Sequence, residues 1–222
     1  SGPGWSTSDF KDTRSVPSGP LPGTRYKGLF RHGRQVVLSY VVDGIDILEL
    51  PGWKRRFTRT FRVGPTTKTL RVRGACGSIY GAPPGVSIED GAVIRLDPHP
   101  EPRVCAVADE EVVDPATLCK GGPSLWPAVE TSGVRGEGEG AHVVDTLTLP
   151  DANPWNSWLR LTGVDFFRDG RAAVSTWSGD VWIVSGPLEK LSWRRFATGL
   201  YEPLGLCVRD DVLFVLGRDQ IT

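Results

Sequence analysis

Apolar and polar positions alternate along much of the chain with the period of two that a half-buried β-strand requires. Gln35–Val42 reads QVVLSYVV, rich in β-branched residues, and Asp43-Gly44 follows it as a hairpin turn signal. The return run, residues 45–50 (IDILEL), alternates apolar with polar. The same period runs through Phe57–Val63 (FTRTFRV), ended by Gly64-Pro65, and through residues 69–73 (TLRVR). Residues 86–96 set an Asp90-Gly91 turn between two apolar strands, and 104–108 add a further short one. The pattern fades over 114–140, where CKGGPSLWP and SGVRGEGEG are turn-rich, and resumes as a strand at 142–149 (HVVDTLTL). Residues 1–24, with SGPGW and SVPSGPLPG, predict an extended Pro/Gly/Ser segment. No run of ten or more residues has helical periodicity. The expected organisation is all-β: an extended segment over 1–24, a sandwich-like antiparallel domain over 25–140, and a second β region over 141–222, with a soft boundary at 133–140.

The second region repeats itself. Residues 164–184 (VDFFRDGRAAVSTWSGDVWIV) give an apolar strand, an Asp169-Gly170 turn, a strand with small residues, a Ser178-Gly179 turn and a third strand. Residues 204–222 (LGLCVRDDVLFVLGRDQIT) follow the same order, and an outer strand is expected around 192–197. Such a unit does not bury both faces alone; stacking several around an axis, as in a β-propeller, solves this. A small β-sandwich with similar hairpins is the alternative. Propellers close with about four to eight blades, so the propeller reading predicts first blades whose companions lie elsewhere. A weaker echo links residues 29–48 with 166–183.

Composition narrows the partners. Acidic and basic residues balance at 26 each, which gives no electrostatic reason to expect nucleic acid or an anionic membrane. No stretch has the roughly 18 apolar residues of a membrane span, and the opening SGPGWSTSDF is unlike a signal peptide. With no initiator methionine, the chain is expected to be processed or a piece of a longer protein.

Candidate chemistry is sparse. Cys76, Cys105, Cys119 and Cys207 contain no CxxC or CxxCH spacing and read as buried thiols; a Cys105–Cys119 bridge is the alternative in an exported protein. His32, His99 and His142 share no metal spacing. The carboxylates Asp43/Asp46, Asp109/Glu110/Glu111/Asp114 and Glu137/Glu139 match no calcium loop, so no metal site is expected. The Gly136–Gly140 stretch lacks the helix start of a phosphate loop. Among Trp155, Trp158, Trp177 and Trp182, alternation with Val181 and Ile183 places Trp182 in the core, leaving Trp155 and Trp158 as candidate ligand-stacking residues.

The strings NPWNSW, DGRAAVSTWSGDVW and GRDQIT, most specifically over 151–222, resemble large exported bacterial proteins. Their propellers are similar to glucose and sorbosone dehydrogenases and are often fused to a c-type cytochrome domain. Asp169-Gly170-Arg171 and Trp177-Ser178-Gly179-Asp180-Val181 match their blade pattern; GPGW, residues 26–44 and ILELPG look like the uncharacterised region preceding the propeller. The resemblance implies a periplasmic or extracellular protein, a sugar or polyol oxidised with pyrroloquinoline quinone and calcium, electrons passed to haem c, and further blades and a cytochrome domain as partners. It assigns no catalytic residue here, so this chain is expected to serve as scaffold. A non-catalytic module binding carbohydrate or protein is the alternative, and a glycosidase a third that would need two facing carboxylates.

Overall fold

The computed structural model describes residues 4–7, 23–53, 57–73, 79–80, 82–90, 93–107 and 113–222. Most of the 1–24 segment, Cys76, Asp109, Glu110, Glu111 and the Gly91 half of the Asp90-Gly91 turn lie outside these residues. The chain divides into two compact units, Ser1–Pro123 and Ser124–Thr222. The division precedes the Gly-rich 133–140 stretch because Val129–Thr131 pairs with a strand of the second unit.

The first unit contains β1 (Trp5–Ser6), β2 (Thr24–His32), β3 (Gln35–Val42), β4 (Ile45–Trp53), β5 (Phe57–Val63), β6 (Leu70–Arg73), β7 (Ile79–Tyr80), β8 (Val86–Glu89), β9 (Val93–Leu96) and β10 (Arg103–Val107). They form two antiparallel sheets, ordered β2-β3-β4-β5-β10-β7 and β1-β6-β9-β8. Alternation explains why both close on one core. Ile45 and Ile47 of β4, Phe61 and Val63 of β5, and Cys105 and Val107 of β10 meet Trp5, Leu70, Val72, Ile94 and Leu96 of the smaller sheet. On the opposite face of the larger sheet, Val37 and Leu50 pack under Leu118 of a 3-10 turn, Pro115–Cys119. This turn is the only helical element among the described residues. Asp114 caps it by accepting from the Ala116 N–H at 2.9 Å, and pairs with Arg62.

A polar chain crosses the apolar core of the first unit. The Trp5 indole N–H donates to the Tyr40 hydroxyl (2.8 Å), which donates to buried Glu49 (2.6 Å); Arg59 Nε donates to the other Glu49 oxygen (2.7 Å). The Arg59 guanidinium lies 4.7 Å over the Phe61 ring, and Trp5 meets Phe61 edge-on at 5.0 Å. Burial first, then the Glu49 charge, pushes the Tyr40 hydroxyl far above the ordinary tyrosine range, so it remains a donor. Every buried polar side-chain atom named here has a partner, as burial demands.

The Cys105–Cys119 bridge does not form: both thiols are free. Cys105 points into the core between the sheets, whereas Cys119 packs on the outer face with Leu48 and Leu118. Burial pushes the Cys105 thiol up to about 12, leaving it an inert apolar group. Cys207 is exposed, contrary to the expectation of a buried thiol, because it sits on a hairpin whose outer side is uncovered.

The second unit contains β11 (Val129–Thr131), β12 (Gly133–Val134), β13 (Thr146–Leu147), β14 (Leu161–Phe166), β15 (Ala172–Thr176), β16 (Val181–Ser185), β17 (Leu191–Ala197), β18 (Gly205–Arg209) and β19 (Val212–Leu216). β14 to β17 form an up-and-down antiparallel meander with β11 added outside β17. All four of Val181, Trp182, Ile183 and Val184 are buried, so β16 is covered on both faces; Trp182 packs with Leu159, Val174, Val184, Leu191 and Trp193. Of the strand expected over 142–149, only Thr146–Leu147 pairs, against Gly133–Val134. Val143 and Val144 are exposed there, so no core holds them in a longer ladder.

The sequence repeat has a structural counterpart. The β18–β19 hairpin turns through Asp210 and Asp211, both at positive φ (51° and 59°), the geometry of a tight two-residue hairpin. It lies beside β14: Asp165 accepts from the Val208 N–H at 2.7 Å, and at Gly163 a Cβ would meet Leu206 N at 3.1 Å and Gly205 Cα at 3.2 Å. The Val208 N–H, followed by the Phe166 N–H, holds the Asp165 carboxyl below the usual carboxylate range. In the first hairpin Trp177 N–H donates to Arg160 O (2.9 Å); in the second Arg218 N–H donates to Tyr201 O (3.0 Å). Val215 and Thr222 exchange backbone bonds of 2.8 and 2.9 Å around an isolated bridge between Leu216 and Ile221. Val212, Phe214 and Leu216 remain exposed.

Candidate functional site: an aromatic and arginine surface on the second unit

Residues 150–160 enter β14 through a loop shaped by one buried amide. Asn153 donates to Pro150 O (2.9 Å) and Ser157 O (2.8 Å), and its carbonyl accepts from the N–H groups of Trp155 (3.2 Å) and Ser157 (2.9 Å). Asn156 takes positive φ (50°) at the bend, which asparagine tolerates better than most residues. The loop is tied to the β15–β16 turn at several points. Ser178 Oγ donates to Trp158 O at 2.7 Å, Trp177 N–H donates to Arg160 O, and Ser157 Oγ bonds Asp180.

Asp180 holds this junction from below. It is only 2% exposed and pairs with Arg195 at 2.7 Å. The Arg195 guanidinium also donates to Thr198 Oγ1 (2.8 Å) and lies 5.2 Å from the Trp126 ring centre and 5.8 Å from that of Trp155. Its positive charge is therefore compensated by one carboxylate and two ring faces.

Above the junction, side chains remain available. Trp158 is 63% exposed and Trp177 38%. The exposed Arg160 guanidinium lies 5.8 Å from the Trp158 ring centre and 5.4 Å from that of Trp177. Among the described residues no carboxylate pairs with it. Loops locked by hydrogen bonds thus present two large, stiff amphipathic rings and a cation at the surface.

Of the two candidate stacking residues, the structure separates one from the other. Trp158 is on the surface, whereas Trp155 is half-buried against Trp182, ring centres 5.9 Å apart. Arg160 and Trp177 were not among the candidates; they meet through the Trp177 N–H to Arg160 O bond, which no local motif announces. The histidines do not converge. His32 Nδ1 is 2.7 Å from Gly121 O, His99 bonds Thr66 and Glu101 backbone, and His142 is exposed. Asp43 accepts from Thr7 (2.5 Å) and Asp46 pairs with Lys27 (3.0 Å). No group of three or more His, Cys, Asp or Glu that would hold a metal ion occurs among the described residues. The sequence has no CxxCH spacing. No helix among the described residues is long and apolar enough to cross a membrane.

Compared with known proteins, residues 1–49 match a family described as Domain of unknown function (DUF6797). The match takes in β1 to β3 and β4 as far as Glu49. No curated protein and no solved structure matches the chain.

Proposed function

We propose that the second unit is the beginning of a propeller-type array and that the chain is a non-catalytic carbohydrate-binding scaffold, with Trp158 and Trp177 as its stacking platform. The exposed indole pair flanking Arg160 on hydrogen-bonded loops carries this reading. Supporting the array is the four-stranded meander followed by a hairpin that repeats its backbone bonding and leans on its first strand. In a propeller, β14 would line the axis, and the start of β14 and the β15–β16 turn would share one mouth, a usual place for ligands in such folds. The apolar residues left open on β19 would be covered by the next sheet.

The resemblance to sugar and polyol dehydrogenases extends the proposal to a periplasmic or extracellular protein in which this scaffold accompanies quinone chemistry placed on other residues. Dye reduction by the natural full-length protein with quinone, calcium and a sugar panel checks that extension; no reduction with any sugar removes it.

The binding claim has a direct test. Calorimetric titration of the chain with neutral and acidic oligosaccharides should find a ligand, and Trp158→Ala should weaken it by about tenfold, as loss of about 1.4 kcal/mol of contact does. Trp53→Ala, on the first unit, should leave binding intact. Equal affinity for wild type and Trp158→Ala, or no saccharide bound at all, would refute the site.

A further inference from the structure

We infer that the ligand of the Trp158–Arg160–Trp177 surface is an acidic saccharide, one whose ring carries a carboxylate; this rests on the saccharide reading above. The observation is an exposed cation set between two indoles; Arg194 and Arg209 also pair with no carboxylate among the described residues, but neither lies over a ring. Arg62, Arg168, Arg171, Arg195 and Arg218 each pair with a carboxylate of the chain, at Asp114, Asp210, Asp169, Asp180 and Glu202. Arg160 has only the two indole faces, and among the described residues no acceptor takes its side-chain N–H groups.

A guanidinium is planar. Aromatic neighbours meet it through their faces and leave its N–H edge to meet an oxyanion in the plane, often through two parallel bonds. A uronate ring fits both demands at once: its C–H groups lie against an indole while its carboxylate reaches the guanidinium edge. A neutral sugar satisfies only the rings, and a simple carboxylate ion only the arginine. The loop is held in advance by Asn153, Ser157 and Ser178, so little ordering cost attends binding.

The test compares oligogalacturonate with its methyl ester, which keeps the ring but removes the charge. The full chain should bind the free acid about tenfold more tightly than the ester at low salt, the size expected of a charge-assisted hydrogen bond, and the preference should shrink as salt rises. Arg160→Gln should abolish the preference for acid over ester, and Arg160→Lys should restore part of it. Equal binding of acid and ester, or a preference that survives Arg160→Gln, overturns the acidic assignment and leaves the saccharide surface standing. Failure of both polymers to bind, with Trp158→Ala indistinguishable from wild type, overturns both.

Discussion

Trp5→Ala should destabilise the first unit by about 3–5 kcal/mol, the range for removing a large buried aromatic side chain. The size follows from position. Trp5 is 7% exposed, packs edge-on against Phe61, and donates to the hydroxyl that holds Glu49. Its strand is short, pairing only Trp5 with Val72 and Ser6 with Arg71, so side-chain burial rather than ladder length seats it. Removing the indole opens the core and leaves Tyr40 without its donor. Trp5→Phe separates the contributions: most of the packing remains and the hydrogen bond is lost, at about 1 kcal/mol. The denaturant midpoint of the first unit, followed by far-UV circular dichroism, reads both. A midpoint unchanged in Trp5→Ala would mean that β1 does not close this core.

Asp180→Ala should cost the second unit about 3–5 kcal/mol, because it strands a charge that the fold has largely removed from water. The side chain of Arg195 is 14% exposed, and Asp180 is its carboxylate partner. The substitution also frees Ser157 and with it the loop that carries Trp158. Two readouts follow: a lower unfolding midpoint, and weaker saccharide binding in a variant altered at a residue that touches no ligand. Replacing both partners, Asp180→Ala with Arg195→Leu, should recover part of the stability, since the uncompensated charge goes with the arginine. A double variant as unstable as Asp180→Ala alone would show that the loop contacts, and not the ion pair, carry the effect.

Strand positions were legible wherever one face meets a core and the other meets solvent. Gln35–Val42 and Phe57–Val63 coincide with β3 and β5 to the residue, because alternation and the flanking turns agree. The strand–turn–strand order of 164–176 and 204–216 was legible for the same reason, whereas the third strand expected after 216 is only an isolated bridge. Residues 142–149 misled because β-branched residues signal a strand whether or not a partner exists, and here the partner is only Gly133–Val134. The cysteine pairing was illegible because separation along the chain says nothing about opposite faces of one sheet. The site was half legible. Trp155 and Trp158 look equivalent in NPWNSW, and the bend that Asn153 imposes turns one inward and leaves the other out. Arg160 and Trp177 meet only because their backbones pair across the start of the meander, a tertiary fact with no local motif.

Hydroxyl-radical footprinting with and without oligogalacturonate asks most directly whether the indole pair is where a ligand sits. Three exposed tryptophans report in one experiment: Trp158 and Trp177 on the second unit, and Trp53, 74% exposed, on the first. Oxidation of Trp158 and Trp177 should fall when the saccharide is bound while that of Trp53 stays constant. Unchanged oxidation of Trp158 under saturating ligand, or protection confined to Trp53, would contradict the account.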